Sequence, residues 1–167
     1  MVRPESVLES WKTVREDTAQ AVLDMPPGSL DFQPSPDLMK FRDLATHVLN
    51  AGRALSGLLI DEVDDMSAPG IFERMKTYHL PVAANATPEE LARMLKDCVE
   101  ESCRALSGKP PEFYAPIVTK WDGQKMTRLE FLQFTKEHEL THRSQMFVYL
   151  RLQGVVPPTT RRRMAKK

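Results

Sequence analysis

Long apolar runs are missing from this chain, and their absence excludes the first function class. None approaches the roughly 18 residues that a membrane span needs, so no membrane segment is expected. The start, Met1-Val2-Arg3-Pro4-Glu5-Ser6, runs straight into a charged amphipathic stretch without the apolar core of an export signal. Cysteine is scarce as well. The two present, Cys98 and Cys103, lie five apart in one expected helix, where their side chains point to different faces and a disulfide is not expected. A reduced, cytoplasmic protein is the consistent expectation. Net charge is also absent: 23 basic residues balance 23 acidic ones, so no global field favours nucleic acid or an anionic membrane. Sustained strand alternation is nowhere visible.

What charge asymmetry exists sits at the end. Residues 161–167, Arg-Arg-Arg-Met-Ala-Lys-Lys, carry five positive charges, so the rest of the chain is mildly acidic. Residues 159–167 are expected to be a basic, flexible tail. The remainder, 1–158, has the length and the ordinary mixture of 41% hydrophobic and 28% charged residues expected of a single globular domain.

Four segments show helical periodicity. The first runs from about Pro4 to Leu23, with Val7, Trp11, Val14, Thr18 and Val22 at spacings of three and four, and Met25-Pro26-Pro27-Gly28 stops it. The second spans about Lys40 to Asp61, with a stripe of Phe41, Leu44, Val48, Ala51, Leu55 and Leu58 or Leu59, and ends in an acidic run over 61–65. After about 25 connecting residues, Thr87 is a plausible N-cap with Pro88 at the first helical position, opening a third helix to about Leu106. Trp121-Asp122-Gly123 is a turn signal that short strands could flank. Thr127 and Glu130 spell a capping box for a fourth helix reaching Leu152, where Gln153-Gly154 and Pro157-Pro158 end it. These segments predict an all-α fold, a four-helix bundle. Its long connections allow an order other than plain up-down-up-down.

The chemistry lies in Glu137-His138-Glu139-Leu140-Thr141-His142-Arg143-Ser144-Gln145. His138 and His142, four apart on a helix, share one face, so both imidazoles can reach one metal ion. They fall on the inward stripe of Phe131, Thr135, His138, His142, Gln145 and Tyr149. Two buried imidazoles without partners would be costly, and a shared cation removes that cost. His47, on the stripe of the second helix, is the third candidate ligand. Alone it would read as a hydrogen-bonded core residue. His79 lies in a connection beside Tyr78 and Pro81 and is expected to be an exposed loop residue outside the site. Three histidines would leave coordination positions open, the mark of a catalytic metal rather than a structural one. Imidazoles suit zinc, nickel, iron or copper; zinc or nickel leads, with iron or manganese as further candidates.

Glu139 is the candidate for acid–base or supporting work, although it could simply pair with Arg143 four residues on. Glu137 reads as part of a solvated face, and Gln145 as a supporting donor or a packing residue. The pair also spells His-Glu-x-x-His, the zincin protease signature. The downstream pattern argues against that reading, because position 148 is valine where a further histidine would be needed and no acidic residue follows Glu139.

Taken together, Leu44-Ala45-Thr46-His47-Val48-Leu49, the segment His138 to Gln145, and the ending Tyr149-Leu150-Arg151-Leu152-Gln153-Gly154-Val155 with Pro157-Pro158 resemble the DinB-like, or YfiT-like, family of bacterial four-helix bundles. The likeness covers nearly the whole chain. It implies one divalent metal held by His47, His138 and His142. It further implies a small-molecule substrate, possession by some relatives of transferase or isomerase activity with low-molecular-weight thiols, and assembly as a homodimer. The function expected from it is a thiol-dependent S-transferase acting on small electrophiles. The alternative is a non-catalytic metal-binding or stress-response bundle.

Overall fold

A computed structural model of the chain describes residues 3–166. Six helices and one small hairpin follow in the order α1 (Pro4–Asp24), α2 (Phe41–Ile60), α3 (Ile71–Thr77), α4 (Pro88–Ser107), a short 3-10 turn (Pro111–Tyr114), β1 (Ile117–Thr119), β2 (Lys125–Thr127), α5 (Arg128–Leu152) and α6 (Pro158–Met164). The four expected helices are α1, α2, α4 and α5, each within two residues of its expected ends. Local chemistry explains the accuracy. At both α4 and α5 a threonine hydroxyl accepts from the N–H three residues on, and a glutamate there reaches back to the threonine N–H. Two donors at each helix start are thereby satisfied. The fold is all-α apart from the antiparallel hairpin, in which Val118 faces Met126.

The helices form a ring in which α1 and α2 sit on opposite corners. Each packs against both α4 and α5. Pairing between side chains gives the directions. Ion pairs Lys96–Glu16 and Lys12–Glu100 run α4 antiparallel to α1. Arg42 reaches the Ala86 carbonyl and Arg53 reaches Glu101, so α4 runs parallel to α2. Arg128 at the start of α5 holds Asp64 and Glu62 just beyond the end of α2, while Tyr149 near the end of α5 bonds the Met39 carbonyl just before α2 begins. Helices α2 and α5 are therefore antiparallel neighbours. The acidic run after α2 thus fixes where α5 starts.

Because α2 and α4 are parallel, the chain between them must return along the bundle. Short α3 begins that return, and residues 78–86 complete it beside α2. Arg53 donates to the Tyr78 carbonyl at 2.8 Å, and Asn50 accepts from the Leu80 N–H at 2.9 Å. The Tyr78 ring lies so close to Gly57 that a Cβ there would collide with it. Plain up-down-up-down order is therefore not adopted.

The core runs the length of the ring. Trp11, Phe41, Leu44, Leu49, Leu58, Leu91, Leu95 and Phe131 are all buried. Burying one such side chain is worth about 1.5–3 kcal/mol. At its centre lies a charge, Arg15, completely buried. Its Nη1 donates to the Leu95 carbonyl of α4 and its Nε and Nη2 to Glu139 of α5. Gly52 of α2 makes room: a Cβ there would stand 2.7 Å from Nη2 of Arg15.

The basic tail departs from expectation. It is helical over Pro158–Met164 and tied to α1, with Arg162 on Asp17 and Arg161 on Asp24, each at 2.6 Å. Pro158 at the first helical turn and the buried acidic partner Asp17 supply what composition alone does not reveal.

Gly52→Ala tests the Arg15 packing. Helix propensity by itself favours alanine by about 1 kcal/mol. Displacing a buried, paired guanidinium costs more, so a net destabilisation of about 2 kcal/mol is expected. Urea unfolding measures it, and an unchanged or raised midpoint would contradict the crowding.

Candidate metal centre

His47 projects from α2 toward α5, and His138 and His142 project from successive turns of α5 toward α2. Antiparallel packing brings the three rings together. Nε2 of His138 lies 3.3 Å from Nε2 of His47 and 3.3 Å from Nε2 of His142. Ring centroids are separated by 4.6 to 5.1 Å. All three ligand atoms lie within 4.8 Å of one another, and all three residues are half-buried. A tetrahedral zinc with Zn–N bonds of about 2.0–2.1 Å sets its nitrogen ligands about 3.3 Å apart. The donor set fits a divalent transition metal in its chemistry, and the two separations from His138 match this spacing. Three neutral imidazoles fill three positions and leave at least one for water or substrate.

The protonation state suits ligation. Burial, followed by the neighbouring His142 and His47, pushes His138 down to about 4. Burial also lowers His47, helped by His142 and His79. Lone pairs thus remain available near neutral pH. His142 Nδ1 stands 2.7 Å from Oε1 of Gln145. The amide oxygen can only accept, so Nδ1 carries the proton and Nε2 is left as the metal-facing atom. This gives Gln145 an orienting role that sequence left open between support and packing.

His79 is exposed, as expected, and stands outside the cluster. It is nevertheless near enough for its charge to act on His47, because Asn50, one turn beyond His47, holds the backbone at Leu80. Glu137 is exposed and accepts from Gln133, as a solvated face would.

Glu139 is placed differently from a residue that would handle protons at the metal. Position 139 lies about 100° around the helix from 138, which turns its carboxylate toward α1. There it is buried and accepts from Trp11 Nε1 (2.6 Å), Arg15 Nε (2.7 Å), Arg15 Nη2 (2.8 Å) and Thr18 Oγ1 (3.0 Å). Burial works against the Arg15 charge, and Glu139 beside it more than restores it, holding the guanidinium above its ordinary pKa. The local pair of Glu139 with Arg143 does not form; Arg143 turns to Asp17 at 3.3 Å. The zincin reading lacks its parts, since the intervening glutamate faces away from the histidines and the sheet among the described residues is a two-stranded hairpin. Sequence reasoning missed Arg15 and Asp17. Arg15 could have been found, for it lies four residues after Trp11 and three before Thr18, on the inward stripe of α1.

The sequence profile of the DinB family matches residues 1–167. The chain belongs to the DinB family. Its fold is similar to that of a crystallised DinB-like protein from Bacillus subtilis, YjoA, with a TM-score of 0.67 and 18% sequence identity, covering 89% of this chain and 92% of that one. A search of curated proteins finds no match. At that identity the YjoA likeness shows the fold alone. Among the described residues of this DinB-family protein, no helix is long and apolar enough to cross a membrane.

The depressed His138 has a measurable consequence. Its folded-state value near 4 lies below the ordinary 6.5 of an unfolded chain. The unfolded form therefore takes the proton first, and the metal-free protein loses stability as pH falls from about 6.5 toward 4. Thermal melting of the metal-free protein across that window should show a falling midpoint, with a shallower fall in His138→Leu. Equal slopes in the two proteins would contradict the assignment.

Proposed function

We propose that this DinB-family protein is a metal-dependent enzyme that transfers a low-molecular-weight thiol to small electrophiles. One observation carries the proposal: three imidazole nitrogens from facing helices converge at metal-ligand spacing and leave part of the coordination sphere free. Zinc or nickel is the leading candidate for the ion, with iron or manganese also compatible. Bound there, the metal supplies Lewis acidity, which lowers the pKa of a thiol or a water beside it.

The protein's own residues do the rest. His47, His138 and His142 hold the ion. Gln145 fixes the His142 tautomer, and the packing of α2 against α5 sets the spacing. The thiol specificity rests on the family resemblance, as does assembly into a homodimer. Two free, buried cysteines fit a reducing cytoplasm.

The experiment compares wild type and His47→Ala, both purified without a histidine tag. Elemental analysis should find about one equivalent of transition metal in wild type and little in the variant, because removing one of three ligands greatly weakens binding. Conjugation of 1-chloro-2,4-dinitrobenzene with a panel of small thiols should then proceed with the metal-loaded wild type and be lost in the variant. Stoichiometric metal without conjugation for any thiol would leave a non-catalytic metal-binding bundle. No metal in either protein, even after soaking with zinc and nickel, would remove the enzyme reading altogether.

A further inference from the structure

Each metal-facing histidine of α5 is followed by a residue tied to α1. Glu139, after His138, receives four hydrogen bonds from Trp11, Arg15 and Thr18. Arg143, after His142, donates to Asp17. The charges are crossed: α1 offers Arg15 and Asp17, and α5 offers Glu139 and Arg143. Both links are largely hidden from solvent, since Arg15, Asp17 and Glu139 are all buried. The two unlike links differ in tightness. The Glu139 contacts are all 3.0 Å or shorter. Among the described residues, Arg143 makes one side-chain hydrogen bond, of 3.3 Å, and its Nε has no partner. Asp17 is also held by Arg162 from α6, at 2.6 Å.

We propose that Glu139 and Arg143 are positioning residues for the metal centre: clamped to Arg15 and Asp17, they fix the rotation of α5 about its axis and so fix where His138 and His142 aim. The inference rests on the metal reading above. Its physical basis is leverage. Side-chain tips stand about 6 Å from a helix axis. A rotation of about 20° would therefore sweep an imidazole nitrogen sideways by about 2 Å, as much as a whole zinc–nitrogen bond. Apolar packing tolerates such rotation, because it has no direction. A carboxylate receiving four hydrogen bonds from three side chains does not. Bulk stability is a weaker explanation for the pair, since buried ion pairs replaced by apolar residues of similar volume often leave stability unchanged or raised.

The test uses cobalt(II) as the probe on the full chain. Arg15→Met together with Glu139→Leu removes both charges and strands neither. We expect this paired variant to remain folded, with a urea midpoint lowered because the buried Trp11 N–H loses its acceptor. Its cobalt dissociation constant should nevertheless rise about 10- to 100-fold, the range found when groups orienting metal ligands are lost, and its ligand-field absorption should shift. Thr18→Val and Trp11→Phe each delete one donor to Glu139 and keep both charges. They should show the same effects in smaller measure, about threefold in affinity. A folded paired variant with wild-type affinity and spectrum overturns the proposal. Should the paired variant not fold, wild-type affinity and spectra in both Thr18→Val and Trp11→Phe overturn it instead. Failure of the wild-type protein itself to take up cobalt overturns the metal reading, an outcome distinct from the others.

Discussion

Arg15 and Glu139 form an ion pair in the middle of the bundle, and the arrangement of all four long helices depends on accommodating it. Removing two charges from water costs several kcal/mol each, and only close geometry with further hydrogen bonds repays it. Here repayment draws on every helix of the ring. Helix α1 supplies Arg15, Trp11 and Thr18, α5 supplies the carboxylate, α4 the Leu95 carbonyl, and α2 the space left by Gly52. Altering the depth or rotation of any one helix would strand a buried charge or donor. An apolar core of the same size would accept several nearby registers, and this one accepts far fewer.

That constraint lies back to back with the candidate metal centre. Helix α5 carries both, because residues 138 and 142 face α2 while 139 and 143 face α1. The side toward α1 engages Glu139 with Arg15 and Arg143 with Asp17, whereas the side toward α2 gathers three imidazoles. One helix thus turns a charge network toward α1 and a half-buried histidine cluster toward α2. The topology makes the second possible. Because α2 and α5 are antiparallel neighbours, aligned by Arg128 at one end and Tyr149 at the other, His47 arrives opposite His138. A simple up-down-up-down order would have made different helices neighbours.

The legible parts of the chain were those governed by local chemistry. Helix ends followed from Thr87, Thr127, Pro26-Pro27 and Gly154, each acting within a few residues of itself. The histidine pair followed from helical spacing, and His47 from its place on an apolar stripe. Glu139 was harder to place. Its place between the candidate ligands in sequence points to the histidine cluster, yet one position of helix rotation sends it to the opposite neighbour. Charge alone predicts a flexible tail, and the acidic partners its arginines meet, Asp17 and Asp24, lie more than 130 residues earlier. The α3 helix and the return of residues 78–86 along α2 carry no strong periodicity, being held by Asn50 and Arg53 rather than by their own pattern.

Sequence by itself determined the helical class, the extents of the four long helices and the placing of three histidines on inward faces. All of these depend on periods of 3.6 residues and on caps, which act over one or two turns. Tertiary structure alone decided which helices are neighbours, that the three imidazole nitrogens meet at 3.3 Å steps, and that Glu139 belongs to Arg15. These are distances between segments far apart in the chain, set by the joint packing of four helices around a buried charge, and no local pattern encodes them.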